Sequence, residues 1–135
     1  MTDDTVLITE AVLSVADRLL GAEETLTGLD SRIGDADFGV NIRRGAEAVK
    51  NELNSTNFDN PEDVLGTVGR ILISEMAGSS GVLFGKSMME ASDAVEDGVD
   101  LNSVVTFAEE YRDNVSEQGS VALGQKTMFD AIQPA

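Results

Sequence analysis

Apolar residues recur along this chain at intervals of three and four and almost nowhere alternate. Ile8, Val12, Val15 and Leu19 form a first stripe, and Ile42, Ala46, Val49 and Leu53 a second. Leu65, Val68, Leu72 and Met76 form a third, and Phe84, Met88, Ala91 and Val95 a fourth. Leu101, Val104, Ala108, Tyr111 and Val115 form the last. A helix returns to one face about every 3.6 residues, so each stripe predicts an amphipathic helix with one face buried. The run Ile71–Ile73 is the only strand contender, and the third stripe explains it better. The expected fold is therefore all-α, with about five helices and the start of a sixth.

Local punctuation agrees. Asn60-Pro61-Glu62-Asp63 offers a capping Asn, a Pro at the first helical position and acids in the first turn. Asp97-Gly98 and the stretch from Gly119 to Gly124 read as breaks between helices. Thr127, with Asp130 three residues on, predicts the last helix start, with Met128, Phe129 and Ile132 as its apolar face. The sequence then stops at Ala135, which reads as a truncation.

At 135 residues the chain suits one domain with a real core. Twenty-five acidic residues against nine basic ones give a formal net charge of −16. That disfavours unaided nucleic-acid binding and an anionic membrane surface. The acids are spread along the chain, and 41 % hydrophobic content argues for a packed core over disorder. A dispersed acidic surface with few lysines fits a protein working in high salt, and equally an ordinary acidic cytosolic protein. Without cysteine or histidine there is no disulfide, thiolate site or imidazole base. No secretory segment or long apolar run is evident, so the expected setting is cytoplasmic.

The candidate chemistry lies in LDSRIGDADFGVNIRRG, residues 29–45, placed in the first interhelical turn. Asp30, Asp35 and Asp37 fall within eight residues, with Asp35 and Asp37 between Gly34 and Gly39 and a helical pattern following. Carboxylates are hard oxygen ligands suited to Mg²⁺, and a helix N-terminus after a glycine-bearing loop favours an anion. A solvated acidic loop is the competing reading. A calcium loop fails on spacing: counted from Asp35, positions five, six and twelve are Gly39, Val40 and Ala46, not a ligand, a Gly and a Glu. Arg43 and Arg44 read as phosphate contacts or as plain surface charges. GSSGVLFGKS, residues 78–87, is one residue short of a P-loop, and a helical stripe precedes it where a strand is needed. Two readings remain for Gly78–Gly81: a small-residue turn whose N–H groups face a nucleotide, or a plain helix connection with a close packing contact.

Together, LTGLDSRIGDADFGVNIRRG at 26–45, GSSGVLFG at 78–85 and LGQKTMFD at 123–130 resemble the L subunit of dihydroxyacetone kinases, in order and in separation. The resemblance implies an antiparallel, barrel-like bundle of amphipathic helices with a nucleotide at one end and a single nucleotide-binding domain over residues 1–135. It assigns Asp30, Asp35 and Asp37 to two Mg²⁺ ions that bridge the phosphates of ADP. Phe38, Gly39, Val40 and Asn41 would line those phosphates, Ser79 and Ser80 would donate to them, and Gly119 and Met128 would border the adenine. The implied role is phosphoryl relay: from a phosphohistidine carrier (M) subunit, through bound ADP, to dihydroxyacetone on a K subunit. No catalytic residue falls on this chain by that assignment. A homodimer stays open, as does a non-catalytic fragment serving as an interaction module. Phe38 stands where the family usually has His, and Gln125 where the loop usually has Asp. The resemblance also implies further C-terminal helices, with an Arg and a lid, beyond these residues.

Overall fold

A computed structural model describes residues 2–125 and 127–135; Lys126, inside the 123–130 segment, lies outside the described residues. The helices are α1 (Asp3–Leu20), α2 (Glu23–Asp30), α3 (Phe38–Ser55), α4 (Pro61–Glu75), α5 (Gly78–Ala91), α6 (Leu101–Gly119) and α7 (Phe129–Ile132). A 3₁₀ turn, Ser92–Val95, follows α5. No strand occurs among the described residues, and Ile71–Ile73 lies within α4. The all-α expectation stands, but the helices among the described residues number seven, not five and a start. The helix missed is α2. It buries none of its residues, so it has no apolar stripe to find.

The stripes explain the rest, with two corrections. The fourth breaks at Ala91, and Val95 stays buried on the 3₁₀ turn. Gly78–Gly81 is not a turn but the first turn of α5, after a connection at Met76 and Ala77. Gly81 serves packing: a Cβ on it would press on the Leu72 and Met76 carbonyl oxygens at 2.6 Å. The segment thus makes a close helix contact at Gly81, and the P-loop is ruled out because α4 leads into it. Asn60 caps α4 as expected, its side chain accepting from the Asp63 N–H at 2.8 Å.

α1 and α4 each run antiparallel to α3, and α6 antiparallel to α5. Thr5 donates to the Asp59 carbonyl while Lys50 pairs with Asp17, which sets α1 against α3. Gly45 sits against Met76 and Leu72, so the N-terminal part of α3 meets the C-terminal end of α4. Gln118 donates to the Ser87 hydroxyl at 3.3 Å, bringing the end of α6 to α5. The start of α3, the α4–α5 connection and the end of α6 thus gather at one end of the bundle.

The core joins Val49, Leu53, Phe58, Val64 and Val68 from α3, α4 and the connection between them, with Ile8, Val12 and Leu13 of α1 against it. The fifth stripe is only partly buried. Val115 is fully enclosed, whereas Leu101 is 79 % and Val104 47 % exposed. The reason is topological: α6 packs on α5, the 3₁₀ turn and α7, while α1 packs on α3 and α4. Between these groups lies an apolar cavity of about 490 Å³, lined by Val12 and Val15 of α1, Met88 of α5 and Phe107 and Tyr111 of α6, among others. Burial in that setting pushes the Tyr111 phenol up to about 12. No described helix is long and apolar enough to cross a membrane.

With a net charge of −16, self-repulsion opposes this packing and counter-ions relieve it. The thermal midpoint, followed by circular dichroism, is expected to rise as KCl increases from about 0.1 M to about 2 M.

Candidate metal centre

Asp30 ends α2, Asp37 precedes α3, and the link between them folds back on itself. The expected placement of the trio in the first interhelical turn needs correction: Asp30 is helical, and the first turn in the chain is Gly21–Ala22. Two local features bring the carboxylates together. The Gly34 N–H donates to the Asp30 carbonyl at 2.6 Å, and a Cβ on Gly34 would overlap the Asp30 carboxylate. Ala36 adopts φ 62°, a left-handed conformation that L-residues enter at a cost. As a result, one oxygen each of Asp30, Asp35 and Asp37 lies within 4.8 Å of the others.

Asp30 does more than offer a ligand oxygen. Its Oδ2 accepts the N–H groups of Asp37 at 3.0 Å and Phe38 at 3.3 Å. Those are among the orphan donors at the start of α3, and Asp37 itself makes no side-chain cap. Asp30 caps α3 from a different helix, leaving the Asp37 carboxylate free to face Asp35. The Asp37 carboxyl is pushed above its ordinary range, first by its hydrogen bond to Asp35 and then by partial loss of water. Asp35 is pulled below its ordinary range, chiefly by the same bond. Opposite shifts of two neighbouring carboxyls are what crowding like charges together produces. Hard oxygens, converging geometry and mutual repulsion fit a divalent cation of the Mg²⁺ kind.

The other assigned residues divide by position. Phe38, Gly39, Val40 and Asn41 form the first turn of α3, where the leading N–H groups lack partners within the helix; Gly39 and Asn41 are buried. Ser79 and Ser80 stand in the first turn of α5, which has no side-chain cap. Gly119 ends α6, and Met128 precedes α7. The antiparallel packing brings these segments to one end of the bundle. Among the described residues, however, no hydrogen bond joins Ser79, Ser80, Gly119 or Met128 to the aspartates. Gln125 acts locally, where its Oε1 accepts the Ala122 N–H at 3.1 Å and closes the loop after α6. Arg43 is no free phosphate contact, since it pairs with Glu23 and Glu47, each at 3.2 Å. That pairing was not legible without α2.

Replacing Ala36 by Gly removes the left-handed penalty, partly offset by greater freedom of the unfolded chain. Denaturant unfolding is expected to show the Ala36→Gly variant more stable by about 0.5–1 kcal/mol. Its divalent-cation binding should be unchanged.

Comparison with known proteins gives this corner its context. The DAK2 domain family matches residues 32–135. The ADP-binding subunit DhaL of the PEP-dependent dihydroxyacetone kinase of Escherichia coli K12 is 34 % identical over 113 residues, which are 82 % of this chain and 54 % of that subunit. The corresponding subunit of dihydroxyacetone kinase 1 of Listeria innocua is 29 % identical over 119 residues, 87 % of this chain and 60 % of its own length. The chain therefore spans little more than half the length of these relatives. The structure of the C. freundii dihydroxyacetone kinase in complex with AMP-PNP and Mg²⁺ superposes with a TM-score of 0.82 and 27 % identity, over 96 % of this chain and 24 % of that one. Fold and sequence agree: the chain belongs to the DAK2 domain family, beside the DhaL subunits of dihydroxyacetone kinases.

Proposed function

We propose that this chain is the ADP- and Mg²⁺-binding subunit of a phosphotransferase-linked dihydroxyacetone kinase. The observation that carries the reading is the convergence of Asp30, Asp35 and Asp37 within 4.8 Å beside the N-terminus of α3. The three carboxylates would hold two Mg²⁺ ions. Bound there, the ions would supply the positive charge that neutralises the phosphates of the nucleotide. Phe38 to Asn41 would line the same phosphates: the first turn of α3 presents the positive end of its dipole, and the N–H groups of Gly39 and Val40 take no carbonyl within the helix. Ser79 and Ser80 add hydroxyl donors from α5, and Gly119 and Met128 border the base.

Phosphoryl transfer requires positioning and charge neutralisation more than a protein base, which suits a chain without histidine. The phosphoryl group would arrive from a phosphohistidine carrier subunit and leave to dihydroxyacetone held on a K subunit. The PEP-dependent kinases from which the similar subunits come support that relay. The setting we infer is the cytoplasm of a salt-adapted cell, and a homodimer is compatible with it. A second reading, a non-catalytic helical module that binds a partner, is favoured by the apolar cavity between α1 and α6.

Calorimetry in about 2 M KCl with Mg²⁺ separates the two readings. ADP binding is expected for the first; its absence supports the second. Asp35→Asn and Asp37→Asn are expected to abolish Mg²⁺-dependent ADP binding with helical content intact, and wild-type affinity in both variants sinks the metal assignment.

The proton balance gives a further test. Because the Asp37 carboxyl is raised, its ionisation opposes folding: that contribution is most favourable below the ordinary carboxylate range and is lost as pH rises. Mg²⁺ needs the ionised form. The gain in thermal midpoint on adding Mg²⁺ is therefore expected to be full at pH about 7 and to shrink as pH falls into the carboxylate range. In the Asp37→Asn variant the metal-free midpoint should match or exceed wild type, with no gain from Mg²⁺.

A further inference from the structure

The helix that brings Asp30 to the site has almost nothing to hold it there. α2 buries none of its residues and packs on α3. Apolar burial, which sets the register of the other helices, is weak here. Three rungs join α2 to α3 instead. At the site end, Asp30 accepts the N–H groups of Asp37 and Phe38. In the middle, Gly39 lies so close to α2 that a Cβ would overlap Thr27 Oγ1 and the Glu23 carbonyl oxygen. At the far end, Arg43 Nε meets Glu23 Oε1 at 3.2 Å. The rungs pair residue 30 with 37 and 38, 27 with 39 and 23 with 43, so the two helices run antiparallel, with the outer rungs about two turns apart along α2.

We infer that the Glu23–Arg43 ion pair is a positioning element of the metal centre, fixing the register of α2 on α3 so that Asp30 reaches Asp35 and Asp37. The middle rung is a contact of small groups, which resists approach but not sliding. The far rung is directional: a slip of one residue moves Asp30 by about 1.5 Å, enough to spoil a ligand set. Glu47 holds the same guanidinium from within α3, so Arg43 is already oriented toward Glu23. This inference rests on the metal reading above and concerns residues that touch neither metal nor nucleotide.

The test is Mn²⁺ binding to the whole chain without nucleotide, read by electron paramagnetic resonance, for wild type, Glu23→Gln, Arg43→Gln, the double variant and Glu47→Gln. Charge alone gives opposite signs: losing Glu23 weakens cation binding, and losing Arg43 strengthens it. Positioning gives the same sign for both. Glu23→Gln and Arg43→Gln are each expected to bind Mn²⁺ about fivefold more weakly, and the double variant no worse than either. Glu47→Gln, which breaks only the intrahelical partner, should bind like wild type. Unchanged affinity in Glu23→Gln, or tighter binding in Arg43→Gln, overturns the inference while the metal reading stands. Glu23→Gln, which removes only a charge from a half-exposed side chain, serves should Arg43→Gln unfold. A wild-type chain that takes up no Mn²⁺ removes the metal reading and this inference with it.

Discussion

Three carboxylates held within 4.8 Å repel one another, and the corner between α2 and α3 is shaped by how that repulsion is borne. Part of it shows in the carboxyls themselves, Asp37 being pushed above its ordinary range and Asp35 pulled below it. Part is offset by the Asp37 and Phe38 N–H groups that Asp30 accepts at the positive end of α3. The backbone contributes strain of its own, in the left-handed Ala36. A chain has no structural need to crowd acids in this way. Such cost at one corner is what a binding site tolerates and a plain loop sheds.

The remainder of the bundle serves that corner by geometry. Antiparallel neighbours put every second connection at the same end, so segments far apart in sequence meet there without touching one another. The small residues of α5 let it press against α4, fixing where Ser79 and Ser80 emerge. The opposite flank is looser. α1 and α6 each turn apolar residues toward a cavity that neither fills, and Val104 and Leu101 stay exposed. The molecule is firm around α3, α4 and α5 and open between α1 and α6.

Much of this was legible in the order of residue spacing. The stripes of α1, α3 and α4 and the cap at Asn60 follow from local periodicity and turn chemistry, which act over a few residues and need no partner. The aspartate trio was legible as a cluster because its members are close in sequence. α2 was not. Its eight residues have no buried face, so neither its presence nor the pairing of Arg43 with Glu23 left a periodic trace. The small residues at 78–81 were ambiguous for a related reason: glycine permits a turn and a close helix contact alike, and only the position of α4 chooses.

What the sequence by itself determined is the all-helical character, the acidic surface and the chemical identity of the site's ligands, since these depend on residue type and short-range spacing. What the tertiary structure decided is whether those ligands converge. That turns on Asp30 reaching across from α2, on Gly34 and Gly39 allowing backbones to approach, and on antiparallel packing gathering distant helix ends. Convergence is a matter of distance between elements, and no local pattern encodes it.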